Sequence, residues 1–113
     1  RSSDIAISPG IQMRLRAMNE FTDQLPLVSW TEPTKPQTIG KTTISSMLSG
    51  VVNGIIQEMN GFISDYQKQY PDLQIVLTGG DANFFEKELK NGIFADPNLV
   101  LKGLNEILTY NCE

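Results

Sequence analysis

Apolar residues recur with helical spacing over one long stretch of the chain. Ile44, Met47, Leu48, Val51, Val52, Ile55, Ile56, Met59, Phe62, Ile63 and Tyr66 step by 3, 1, 3, 1, 3, 1, 3, 3, 1 and 3. That pattern makes a broad apolar face over six turns and predicts a helix over residues 42–69. At 1.5 Å per residue the helix is roughly 40 Å long, more than a small domain needs for its own core. Gly50 and Gly54 sit four apart on one side, with Gly61 further along. Each helix-interior glycine costs up to about 1 kcal/mol relative to alanine. Three of them predict close approach of another element, either from the same chain or from a second subunit.

Upstream, Ser8-Pro9-Gly10 precedes Ile11, Leu15 and Met18. The spacing predicts a helix over residues 9–23, with Ser8 as N-cap and Pro9 at the first helical position. Arg14 and Arg16 then face solvent or a partner. Pro26, Pro33 and Pro36 exclude a regular helix over residues 25–38. That segment reads as an ordered loop whose Trp30 packs onto the domain.

Downstream, Pro71-Asp72 ends the long helix, and residues 73–78 read as a short buried strand. Gly79-Gly80-Asp81 is a tight turn, with Asp81 placed to cap a helix over residues 82–90 that turns Phe84, Phe85 and Leu89 inward. Asn91-Gly92 closes that helix, and Phe94-Ala95-Asp96-Pro97 reads as a connection. A last helix is expected over residues 99–111, with Leu99-Val100 as a short extended piece before it. A single strand cannot make a stable sheet, so an α/β domain is expected whose other strands lie on the N-terminal side, outside this segment.

Composition narrows the chemistry. The chain has 113 residues, 40% of them hydrophobic and 19% charged, enough for one small packed domain. Nine basic against 13 acidic side chains leave a net charge of −4. That balance argues against direct DNA contact. There is no histidine, which removes the commonest general base and most zinc sites. The single cysteine, Cys112, excludes an intrachain disulfide and a multi-cysteine metal cluster, and reads as an incidental thiol beside the C-terminus. No run reaches the roughly 18 apolar residues of a membrane helix, and Arg1-Ser2-Ser3-Asp4 carries no leader pattern. A cytoplasmic protein without membrane contact is expected. Its chemistry must rest on carboxylates, hydroxyls, backbone amides and a bound metal or cofactor.

Three short motifs could carry such chemistry. In Leu77-Thr78-Gly79-Gly80-Asp81-Ala82 a strand runs into two glycines and a helix start, a geometry that suits a phosphate or ribose and equally an ordinary capped turn. It is neither a Walker A loop nor a Rossmann fingerprint. Thr42-Thr43, after Gly40-Lys41, reads either as plain helix capping or as a hydroxyl presented to a polar ligand. Ile7-Ser8-Pro9-Gly10 reads as a helix start.

Taken in order, Ile7-Ser8-Pro9-Gly10, Ile39-Gly40-Lys41-Thr42-Thr43 with Ser49-Gly50, Leu77-Thr78-Gly79-Gly80-Asp81-Ala82 and Asp96-Pro97-Asn98-Leu99-Val100-Leu101-Lys102-Gly103-Leu104 resemble the C-terminal half of type III pantothenate kinase, also called the Bvg accessory factor (Baf) family. The resemblance covers residues 7–111. It implies an α/β fold: the C-terminal ribonuclease H-like lobe of the acetate kinase, sugar kinase, Hsp70 and actin superfamily, helix-rich and incomplete as given. It implies ATP-dependent phosphorylation of pantothenate, the first step of coenzyme A synthesis, by the full-length protein. Thr43 matches a threonine that contacts pantothenate and, in family dimers, reaches the site of the neighbouring subunit. Thr42 stands where many relatives have Asn. Gly79, Gly80 and Asp81 match the adenosine-side nucleotide motif, and Ile7, Pro9 and Gly10 the end of a glycine-led segment near the substrates.

Asp4-Ile5 stand where that glycine-led segment has two glycines. Either this member differs there, or residues 1–6 are joined across omitted sequence. The domain division is therefore 1–6, of open continuity, and 7–113, the lobe. The family's Asp-x-Gly-Asn, Gly-x-Asp-Arg and Asp-x-Gly-Thr motifs have no match here, so no catalytic residue is assigned to this segment. Mg²⁺ and a monovalent cation, K⁺ or NH₄⁺, are implied cofactors alongside ATP, and the long helix is implied as a homodimer contact. Two other readings stand beside this one: a non-enzymatic transcriptional accessory protein, and a kinase of the same superfamily with another acceptor.

Overall fold

The computed structural model describes residues 6–31, 33–89 and 93–95. Its elements are α1 (Ile11–Glu20), α2 (Thr43–Leu48), a π-helical segment (Ser49–Asn53), α3 (Gly54–Gln69), β1 (Ile75–Leu77), α4 (Ala82–Glu88) and β2 (Ile93–Ala95). The architecture is helix-rich α/β. The connection and last helix expected over residues 96–111 lie outside the described residues. So do Cys112, Lys90, Asn91-Gly92 and residues 1–5.

α2, the π segment and α3 follow one another without a break, so the helix expected from the apolar spacing forms close to its expected ends. Met47, Val51, Val52, Ile55, Ile56 and Ile63 are buried along its inner face, while Ile44 and Phe62 at the edge of the stripe are exposed. The spacing did not show that five residues at the centre are π-helical. A π turn accommodates one residue more than an α turn and re-aims the side chains beyond it.

Around that face lie Ile11 and Leu15 of α1, Val28 and Trp30 of the loop, Leu77 of β1, and Ala82, Phe84 and Phe85 of α4. Trp30 meets Phe84 edge-on, with ring centroids 5.0 Å apart at 73°. Trp30 therefore packs as the sequence implied, and the proline-bearing loop is fastened to the core by it.

Of the two sources expected for a close approach at the helix glycines, the same chain is corrected. A Cβ built on Gly50, Gly54 or Gly61 meets nothing within 4 Å, so no described element of this chain approaches the helix there. The first helix is also shorter than expected. Gly10, not Ser8, stands at the N-cap, and no side chain caps it. The physical reason is competition: the Ser8 hydroxyl donates to Glu58 Oε1 at 2.7 Å, fifty residues away.

The turn after β1 leads into α4, and β2 then pairs parallel with β1 in the register Ile75 to Ile93, Val76 to Phe94 and Leu77 to Ala95. The connection expected at Phe94-Ala95 is thus a strand. Three residues carry too little periodicity to be read as one, and the pairing needed the helical crossover that parallel strands require. None of the described helices is long and apolar enough to cross a membrane.

Leu15 is fully buried where α1 meets the helix centre. Leu15→Ala is expected to cost about 2–5 kcal/mol. The check is a urea unfolding curve, in which the midpoint should fall with little change in slope.

Candidate functional site

The segment before the long helix lies directly against it. Gly40 allows this: a Cβ there would stand 2.5 Å from the backbone N and Cα of Ser46. Any larger residue must push the loop off the helix. The next two residues are bound to one side chain. The N–H groups of Lys41 and Thr42 both donate to Ser45 Oγ at 2.9 Å. In return Ser45 N–H donates to Thr42 Oγ1 at 3.0 Å, completing a capping box.

This settles the division of labour in Thr42-Thr43. The Thr42 hydroxyl is committed to the cap. Thr43 opens α2 with its side chain exposed, and no partner for its hydroxyl occurs among the described residues. Capping and presentation, alternatives in the sequence, fall to neighbouring threonines.

Beside them is an open groove of about 630 Å³, within the range of small-molecule sites. Met18, Leu25 and Met47 give it apolar lining; Lys41, Thr42, Thr43 and Ser46 give it a polar side. Among the described residues Lys41 has no ion pair. An apolar wall with the free hydroxyls of Thr43 and Ser46 and the free ammonium of Lys41 suits a small molecule with an aliphatic body and an anionic or hydroxylated end.

The second motif sits elsewhere. Gly79 adopts φ 111°, a left-handed conformation that favours glycine. Gly80 has open space where a side chain would be. Asp81 holds the N-cap position of α4, but its carboxylate makes no capping bond, which corrects the expectation. Its backbone dihedrals, φ −102° and ψ 13°, leave the extended region from which N-cap side chains reach the helix amides. The carboxylate is exposed and uncommitted. None of Gly79, Gly80 and Asp81 lines the groove at Thr43, so the structure does not bring the two candidate groups into one cavity.

Ile7-Ser8-Pro9-Gly10 is held by a polar clamp. Arg14 Nε donates to the Pro9 carbonyl at 2.7 Å, and its NH2 group reaches both Glu58 oxygens at 2.9 and 3.1 Å. With both side chains half-buried the pair is worth roughly 1 kcal/mol. Sequence reasoning left Arg14 facing solvent or a partner and missed Glu58, because 44 residues separate them. Ser45 and Asn53 were missed too. A Thr-x-x-Ser spacing hints at the first; nothing in the pattern marks the second.

Among the described residues no three Asp, Glu, His or Cys side chains converge to hold a metal ion. The Tyr66 phenol is held above its ordinary value, first by burial and then by the Asp65 carboxylate. It stacks on Phe62 and does not line the groove.

The family model of type III pantothenate kinase matches residues 5–65. Type III pantothenate kinase of Christiangramia forsetii is 48% identical over 106 residues, covering 94% of this chain and 43% of the relative. Those of Cytophaga hutchinsonii and Phocaeicola vulgatus are 49% and 50% identical, covering 44% and 43% of the relative's length. The chain belongs to the type III pantothenate kinase family, and it spans less than half the length of these relatives.

The fit of Gly40 gives a direct test of the groove's construction. Gly40→Ala is expected to lower stability by about 1–3 kcal/mol, since the added methyl meets the backbone N and Cα of Ser46 as well as its Oγ, and the backbone cannot swing aside. Denaturant unfolding measures the loss. An unchanged midpoint would show that the loop does not rest on Ser46.

Proposed function

We propose that the full-length protein phosphorylates pantothenate with ATP, opening coenzyme A biosynthesis, and that this chain supplies the acceptor-side groove and one wall of the nucleotide cleft. The single observation that carries the reading is Thr43, exposed and unpaired on a groove of small-molecule size while its neighbour does the capping. Membership of the family supplies the substrate class. On this reading residues 7–113 belong to the C-terminal ribonuclease H-like lobe, and residues 1–6 stand apart from it.

The reaction is an in-line displacement. The primary hydroxyl oxygen of pantothenate bonds to the γ-phosphorus, the bond to the β–γ bridging oxygen breaks, and ADP leaves. The hydroxyl proton passes to a carboxylate contributed by residues beyond this chain. The chain's own part is positioning: Thr43 hydrogen-bonds pantothenate, and Gly79, Gly80 and Asp81 border the adenosine. Mg²⁺ and a monovalent cation act in the complete protein by family resemblance, and no step is assigned to them on these residues. The setting proposed is cytoplasmic, without DNA or membrane contact.

We further propose a homodimer through the long helix. Support comes from the open space over Gly50, Gly54 and Gly61 on a helix roughly 40 Å long. Another copy of the chain would fill it and carry Thr43 toward the neighbouring nucleotide cleft.

Two experiments test the reading. A coupled ADP-release assay is expected to show pantothenate-dependent turnover for the full-length protein and none for the 113-residue chain alone. Thr43→Ala should raise the KM for pantothenate roughly threefold to tenfold, the worth of one neutral hydrogen bond. Turnover by the short chain, or an unmoved KM, would refute the corresponding assignment. For the interface, the Cβ that Gly54→Leu adds meets nothing within 4 Å among the described residues. The substitution should nonetheless reduce both subunit association in sedimentation and pantothenate turnover, and unchanged sedimentation would remove this helix from the interface.

A further inference from the structure

The groove's polar side depends on a segment with no regular structure of its own. Residues 36–42 run along the long helix in the opposite direction to residues 45–53, and most polar ties between them are backbone-to-side-chain bonds. Asn53 Nδ2 donates to the Pro36 carbonyl at 3.1 Å and stands 3.4 Å from that of Gln37. Ser49 Oγ donates to the Thr38 carbonyl at 2.7 Å. Asn53 Nδ2 also donates to Ser49 Oγ at 3.0 Å, so the two side chains act as a coupled pair. Gly40 then meets Ser46, and Lys41 and Thr42 meet Ser45.

The two residues that hold the far end of this segment are the first and last of the π segment, Ser49–Asn53. Both have costs a purely structural helix would avoid. Ser49 is a buried polar residue of the core, and Asn53 keeps a buried Oδ1 without a partner among the described residues. A helix needs neither side chain for its own ladder, and alanine has the better propensity at both places. A π turn is likewise a departure from α geometry that recurs at functional sites.

We propose that Ser49 and Asn53 are positioning residues: from the π turn they fix the backbone of residues 36–38 and thereby set Lys41 and Thr43 on the acceptor groove. This rests on the reading of that groove as the pantothenate site. Neither residue lines the groove, so each acts through the loop. The carbonyls they hold would otherwise be solvated, and the segment between Pro36 and Gly40 would sample several placements of the threonine pair.

The test uses the full-length protein with Ser49→Ala, Asn53→Ala and Thr43→Ala made in parallel. Both latch variants should raise the KM for pantothenate about fivefold to tenfold and leave the KM for ATP within about twofold. Hydrogen exchange should quicken at residues 36–43 while the amides of α3 keep their protection. Ser49→Ala combined with Thr43→Ala should raise the KM by less than the product of the two single effects, because part of the latch's action passes through Thr43. Should Asn53→Ala fail to fold, Ser49→Ala carries the test, since it removes one hydroxyl and adds nothing. If Thr43→Ala raises the KM and the latch variants do not, the latch is overturned and the groove assignment stands. A parallel rise in both KM values overturns it as well, marking general loss of structure. If Thr43→Ala itself has no effect, the groove assignment falls and the latch with it.

Discussion

Burial of one face of the long helix is the constraint on which the rest depends. Met47, Val51, Val52, Ile55, Ile56 and Ile63 all turn inward from it. At about 1.5–3 kcal/mol for each large side chain removed from water, this ridge outweighs any other single contribution described. α1, the Trp30 loop and the β1–α4 unit each offer apolar residues to the same cluster. Their positions are therefore set relative to one another through the helix. The helix serves as the reference for both candidate groups: the Thr43 groove at its N-terminal end, and the Gly79-Gly80-Asp81 turn between β1 and α4.

The same helix carries a polar edge with a different task. Ser45, Ser46, Ser49 and Asn53 hold a loop where the apolar ridge holds elements. Hydrogen bonds are suited to this, because each is worth only about 1 kcal/mol net yet fixes direction as well as distance. The Gly40 contact adds a steric limit that no hydrogen bond supplies. Together they place a threonine hydroxyl at the surface without making the segment around it part of the core. The clamp of Ser8, Arg14 and Glu58 does the same for the chain entering α1. In both cases an irregular segment is located by polar groups that reach out from helices.

What was legible in the sequence follows from range. The long helix, the break in helix at Pro26, Pro33 and Pro36, and the inward Phe84 and Phe85 of α4 are set by neighbours within a few turns, and periodicity or proline chemistry shows them. The failures are competitions settled at long range. Ser8 is a good local cap, yet it bonds to Glu58. Phe94 and Ala95 look like a connection, yet they pair with β1. Asp81 occupies its cap position without making the cap bond. The π turn hid for another reason: one extra residue barely alters an apolar pattern already broad enough to absorb it. For the site, the sequence nominated Thr43 and the Gly-Gly-Asp turn by resemblance. It was silent on which threonine caps and which is free, a question only the Ser45 geometry answers.

The separation of the two groups bears on how the proposed reaction would be assembled. Phosphoryl transfer needs the acceptor oxygen about 3–3.5 Å from the phosphorus. Residues that bind acceptor and donor must then border one continuous space. Here the Thr43 groove and the Gly79-Gly80-Asp81 turn do not. A rearrangement within the chain is a poor way to join them, since both are tied to the same buried ridge and moving either would open the core. On the proposed reading the missing walls come from outside this chain. A second copy docked over the glycine side of the helix is the arrangement that needs no internal movement. It would place Thr43 of one protomer beside the nucleotide turn of its partner. On that proposal the open space over Gly54 and the exposed Thr43 hydroxyl would share one cause, the docking of a second chain.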